Sequence, residues 1–142
     1  MHVDAFLRFS NAQAVTAAAD SDSYVDLGAA RDAGVGERLY LVSACTVAMT
    51  DGSSDSTLDV VLEGDSSTTF TPDYSRTVFT FPAVSAAGTV LIGALGPDDL
   101  QYRYAQVSYS PNNGNLSTGS FTTFITHDIQ RYKAFADNII IS

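Results

Sequence analysis

The sequence predicts an all-β fold: a two-sheet sandwich, jelly-roll-like, with about eight strands and short N- and C-terminal arms. Three observations predict it. Apolar residues recur at alternate positions in short runs, the signature of half-buried strands. Gly, Pro, Asn, Asp and Ser clusters separate these runs. No convincing helix longer than two turns interrupts them. About eight such strands in 142 residues fit a single jelly-roll domain. An immunoglobulin-like sandwich is the rival architecture, although the Cys…Trp…Cys signature of antibody domains is absent.

At the N-terminus, Val3, Phe6, Leu7 and Phe9 make an apolar start without clean periodicity, so residues 1–12 read as an arm or a first strand. Residues 12–19 are rich in Ala, and helix and extended chain suit them equally. Residues 23–27 read as a short strand closed by Gly28, and residues 29–36 as a loop. The organising stretch is residues 37–65. Its first strand, 39–49, places Leu39, Leu41, Ser43, Cys45, Val47 and Met49 on one face and Tyr40, Val42, Ala44, Thr46 and Ala48 on the other. Both faces are apolar or small, which predicts neighbours on both sides or a subunit contact. Its second strand, 57–63, alternates Leu58, Val60 and Leu62 with Asp59, Val61 and Glu63, one dry face and one wet.

Farther along, residues 76–81 alternate Val78 and Thr80 with Thr77, Phe79 and Phe81, until Pro82 stops the strand. Residues 89–95 are another strand, and Gly96-Pro97-Asp98-Asp99 is a turn by composition. In the long strand 100–110, Ala105, Val107 and Tyr109 form the expected core face; Tyr104, Gln106 and Ser108 face water. Asn113-Gly114 marks a turn, and residues 121–126 form the last firm strand. The tail, residues 129–142, carries Arg131-Tyr132-Lys133 and then Ile139-Ile140-Ile141. It either adds a strand to a sheet or docks on another subunit.

The formal net charge of −9, with Lys133 the sole lysine, argues against direct nucleic-acid binding, which needs Lys and Arg to displace counterions. No apolar run approaches the roughly 20 residues that span a bilayer, so no membrane partner is expected. Residues 1–6 lack the basic and apolar regions of a secretory signal. Cys45 is the sole cysteine and reads as a small buried hydrophobe.

Candidate chemistry is thin. His127-Asp128 is the one His–carboxylate neighbour pair, but adjacent strand residues point to opposite faces. Asp51-Gly52-Ser53-Ser54-Asp55 with Asp59 lacks the ligand order of a calcium loop and reads as a solvated turn. His2 and His127 are too few for a cupin metal site. No catalytic residue, metal or cofactor is expected, and the chain is read as no enzyme. The aromatics, seven Tyr and eight Phe, fit core packing better than a carbohydrate platform.

One combination of segments goes further. Phe9-Ser10-Asn11-Ala12-Gln13-Ala14-Val15-Thr16 is followed by Val25-Asp26-Leu27-Gly28 and Gly36-Glu37-Arg38-Leu39-Tyr40-Leu41. Then come Leu58-Asp59-Val60-Val61-Leu62-Glu63 and Tyr102-Arg103-Tyr104-Ala105-Gln106-Val107-Ser108-Tyr109. In this order and spacing, over roughly residues 7–130, they resemble the small capsid cement (decoration) proteins of tailed bacteriophages, of the kind found on short-tailed phages infecting Bordetella. The resemblance implies a jelly-roll-like sandwich, made in the bacterial host cytoplasm, that binds the outer face of an HK97-type shell. It implies two partners: the major capsid protein, whose subunits it bridges, and further copies of itself in a dimer or trimer. It carries over no catalytic residue. A carbohydrate- or receptor-binding jelly roll is the alternative. The apolar chain ends, Phe6, Leu7 and Phe9 with Tyr132, Phe135, Ile139, Ile140 and Ile141, are the expected contacts with neighbours; closing the domain's own core is the competing role for them.

Overall fold

A computed structural model of the chain describes residues 8–26, 39–69, 71–96, 99 and 101–126, and the backbone of 138–141. Among them are ten strands: β1 (Arg8–Ala14), β2 (Ala19–Asp20), β3 (Val25–Asp26), β4 (Leu39–Thr50), β5 (Thr57–Asp65), β6 (Tyr74–Phe81), β7 (Thr89–Leu95), β8 (Tyr104–Asn112), β9 (Thr118–Thr126) and β10 (Asn138–Ile141). They form two sheets. One has the order β1-β9-β4-β7-β10; the other has the order β2-β8-β5-β6, with β3 also paired to β8. With β2 and β3 counted as one interrupted strand, the chain crosses between sheets at every connection from β1 to β9 except the β5–β6 hairpin. That is a jelly roll, as the strand pattern predicts. Every pair is antiparallel except β10 with β7. The first-strand reading holds from Arg8, and residues 12–19 are extended or bent, not helical.

The core lies between the sheets. Phe9, Leu41, Met49, Leu91, Phe121 and Ile125 of the first sheet meet Leu58, Val60, Leu62, Phe81, Val107 and Tyr109 of the second, all at most 2% exposed. Phe121 sits at its centre, 4.9 Å from the Phe81 ring and 5.8 Å from the Tyr109 ring. Alternation places β5 and the core face of β8 as expected, but β8 begins only at Tyr104, and Gln106, expected to face water, is buried. Alternation also misplaces part of β6. Val60 pairs with Phe79 and Val61 with Thr77, so Val78 is an extra residue on the bulged strand. Val78 and Phe79 both turn inward instead of to opposite faces.

A chain of buried hydroxyls crosses this apolar core. Ser10 donates to Gln13 Oε1 at 2.8 Å, and Tyr109 donates to Ser10 at 2.8 Å. Each hydroxyl has one proton. Thr123 therefore donates to Tyr109 at 2.6 Å, and Ser43 to Thr123 at 2.9 Å. Gln13 carries the chain outward, donating to Asp20 O at 2.9 Å and accepting from Asp22 N at 2.9 Å. The chain runs in one direction and links β4, β9, β8, β1 and the turn after β2. Tyr109→Phe removes both the donor to Ser10 and the acceptor for Thr123. Its expected cost is about 2 kcal/mol, read by urea denaturation.

Burial also pushes the Tyr109 phenol above its ordinary value of 10.0 and the Cys45 thiol above 9.0. In each case the folded state holds its proton more tightly than the unfolded chain does. That stabilisation is complete below the ordinary value and is lost progressively as pH rises from there through the raised folded value. Denaturation midpoints measured from pH 7 to 11 should fall first above about 9 and again above about 10. Tyr109→Phe should erase the second fall; a second fall that persists in this variant removes Tyr109 as its cause.

Candidate interaction surfaces

The outer face of the second sheet is polar, and its side chains satisfy one another. Thr80 donates to Asp59 at 2.7 Å and Gln106 to Glu63 at 2.8 Å. Arg103 pairs with Asp26 at 3.1 Å and lies 5.0 Å over the Tyr104 ring, which meets Tyr24 edge-on at 5.5 Å. Burial raises the Glu63 carboxyl against the opposing pull of the Gln106 hydrogen bond, and the Asp26 hydrogen bond and charge raise the Arg103 guanidinium. This is a polar face whose side chains are hydrogen-bonded to one another, with one ion pair.

The first sheet is apolar on both faces. Away from the sandwich core, Val42, Ala44, Val90, Ile92 and Phe124 form a second cluster with Tyr40 against it. Strand register assembles it: Val42 stands between Ile92 and Phe124, and Ala44 stands beside Val90. Val42, Ile92 and Phe124 are fully buried within a single chain. The two-faced apolarity of 39–49 therefore reports intrachain burial on both sides.

The third surface is one end of the sandwich. Gly88 N donates to Cys45 O at 2.8 Å and Met49 N to Ser85 O at 2.9 Å, which lays the β6–β7 loop along β4. Between these bonds β4 bulges: its register with β9 shifts on both sides of Val47. Alternation assigns Val47 to the face of Leu41 and Cys45. The bulge instead turns it outward, 49% exposed. Val84, on the loop, is 54% exposed and has φ of 50°, a left-handed conformation that β-branched residues rarely adopt. No residue from 44 to 50 or from 81 to 89 carries a charge.

Beyond the β6–β7 loop, Asp99 is a buried latch. Its Oδ1 accepts from the Tyr74 hydroxyl, and its Oδ2 accepts from Gly96 N at 2.6 Å and lies 3.2 Å from Arg76 Nη1. Arg76 also donates to Ala94 O at 3.1 Å. The turn expected at 96–99 is present as a bond from Asp99 N to Gly96 O. Composition identified the turn and missed the buried role of its acid.

The sequence-predicted residues fall in several places. Phe9 is a correction: its side chain is fully buried in the sandwich core, so it faces no neighbour in the folded domain. It holds that place because β1 pairs with β9 and turns Phe9 inward. Phe6, Leu7, Tyr132, Phe135 and the pair His127-Asp128 lie outside the described residues, as do His2 and Lys133. Ile139, Ile140 and Ile141 belong to β10, whose backbone pairs with Val90, Leu91 and Ile92 of β7; the tail adds a strand. In the Asp51 loop, Ser56 donates to Asp51 at 3.0 Å and helps draw its carboxyl pKa down, while Asp59 accepts from Thr80 instead. The loop is a turn, and no three metal-ligating side chains cluster among the described residues. Cys45 is buried, and its thiol donates to Val47 O at 3.1 Å.

Comparison with known proteins adds one family and one structure. A family model described as Bbp16 matches residues 9–125, from the core residue Phe9 to Ile125 near the end of β9. A chain from the structure of infectious bursal disease virus, Gx strain, superposes with a TM-score of 0.48 and 8% identity. That match covers 92% of this chain and 33% of the viral one, so this chain spans about a third of its length. No curated protein gives a significant match.

Proposed function

This chain belongs to the Bbp16 family, and from that membership we propose that it is a structural virion protein, a cement protein on the outer face of a phage shell. The family's name points to a Bordetella bacteriophage protein, as the sequence motifs do, and the match that carries the reading spans the sandwich from β1 to β9. In this reading the chain bridges major capsid subunits of an HK97-type shell, acts as a small homo-oligomer, and stiffens the particle. Its work is binding, not catalysis.

The physical character of the domain supports this role. Side-chain hydroxyls knit the two sheets through the core, and a two-faced first sheet buries apolar residues on both sides. Such a body transmits load between contacts without deforming, because close-packed interiors are poorly compressible. Its acidic surface keeps it from the packaged nucleic acid.

Co-sedimentation tests the reading. Shells purified from a phage deleted for this chain are mixed with the purified protein and pelleted. The chain is expected to pellet with them at a fixed ratio to the major capsid protein and to raise the temperature at which the shells open. Binding to a glycan array with no pelleting on shells would replace the reading with the carbohydrate-binding one.

A further inference from the structure

We propose that the uncharged patch built by the β4 bulge and the β6–β7 loop, with Val47 and Val84 exposed on it, is the surface that seats this chain in an apolar recess of another protein's subunit within a repeating assembly. The inference rests on the structural-virion reading and names the contact that reading needs.

Three observations converge on this patch. Val47 and Val84 are two of the three large hydrophobic side chains exposed among the described residues. Val84 holds φ at 50°, where its branched Cβ crowds the backbone; such strain recurs at sites that grip ligands or partners. The stretches that meet here have no charged residue, in a chain of net charge −9. Burying these two stretches against a partner therefore strips water from no carboxylate of their own, which elsewhere would cost several kcal/mol per unpaired ion.

The same facts select the occupant. A cationic or nucleic-acid partner would gain nothing from a neutral surface. A second copy of this chain is a poor fit. The exposed uncharged set is Thr46, Val47, Thr50, Pro82, Val84, Ala86, Ala87 and Gly88, against about 20–30 residues per side in a standard interface. A subunit in a repeating assembly suits the small area, because contacts made by neighbouring copies add avidity that one patch lacks.

Two variants test it on shells lacking the chain. Val47→Glu places a charge on an exposed side chain and should lower shell affinity at least tenfold. Val84→Asn replaces a strained valine with a residue that accepts the left-handed conformation. It should melt at a higher temperature than the parent and still bind shells several-fold more weakly. A residue with only a structural role would not give that opposition of stability and binding. If Val47→Glu fails to fold, Val84→Asn carries the test alone. Parental affinity in the folded variants overturns the inference and leaves the cement role standing. Lost self-association in sedimentation velocity with unchanged shell binding also overturns it, in favour of a second copy as the occupant. A parent chain that never pellets with shells removes both readings.

Discussion

Gly93→Ala is expected to destabilise the sandwich by about 3 kcal/mol, at the upper end of what one inserted methyl costs in a packed core. Gly93 lies in β7 opposite Leu41, with its open side against β6. A Cβ built there would overlap Val78 Cγ1 and stand 3.1 Å from Phe79 Cδ2. Both neighbours are buried side chains that the β6 bulge drives inward together. Val78 is branched at Cβ and stiff at χ1, so it has little room to swing aside. The repair follows from the same contact. Val78→Ala alone should cost about 2 kcal/mol by leaving a void. Combined with Gly93→Ala, the added methyl fills part of the space the valine leaves and meets no Cγ1, and the double variant should lose at least 1 kcal/mol less than the sum of the singles. Urea denaturation of the four proteins gives the coupling. Strict additivity would mean that β6 and β7 do not press on each other at this point.

Asp99→Ala has an effect of similar size for a different reason. The carboxylate is 1% exposed and serves the Tyr74 hydroxyl, the Gly96 amide and the Arg76 guanidinium. Arg76 is 42% exposed and can turn to water, so its ion pair contributes little by itself. The loss is concentrated in the other two bonds, whose removal with a buried carboxylate should cost about 3 kcal/mol. Arg76→Ala should therefore cost under about 1 kcal/mol. Asp99→Ala should also speed amide exchange at Gly96, whose N–H loses its acceptor. Equal costs for the two variants would show that the ion pair, not the hydrogen bonds, holds the 96–99 turn.

Legibility in the sequence followed the range of the interactions. In β5 and β8 the period-two pattern sets the core face, and Leu58, Val60 and Leu62, with Ala105, Val107 and Tyr109, are buried as read. Asn113 and Gly114 both have positive φ, which the short polar side chain of one and the missing Cβ of the other make favourable. The interaction surface was less visible. Chain-end apolarity pointed to Phe9, which is core, and gave no hint of Val84. A run lacking charge at 44–50 and again at 81–89 was the available signal. It gains meaning only when Gly88 and Ser85 are seen bonded to Cys45 and Met49.

By itself, then, the sequence determined the all-β class, the jelly-roll body and most of its strands, because alternation and turn chemistry are properties of a few adjacent residues. Tertiary structure alone decided where that alternation breaks. One extra residue at Val78 and the bulge at Val47 each shift the phase of a strand, and a bulge exists only relative to a partner strand distant in sequence. The same long-range pairing buried Phe9, turned Val47 outward and held Val84 in its left-handed conformation.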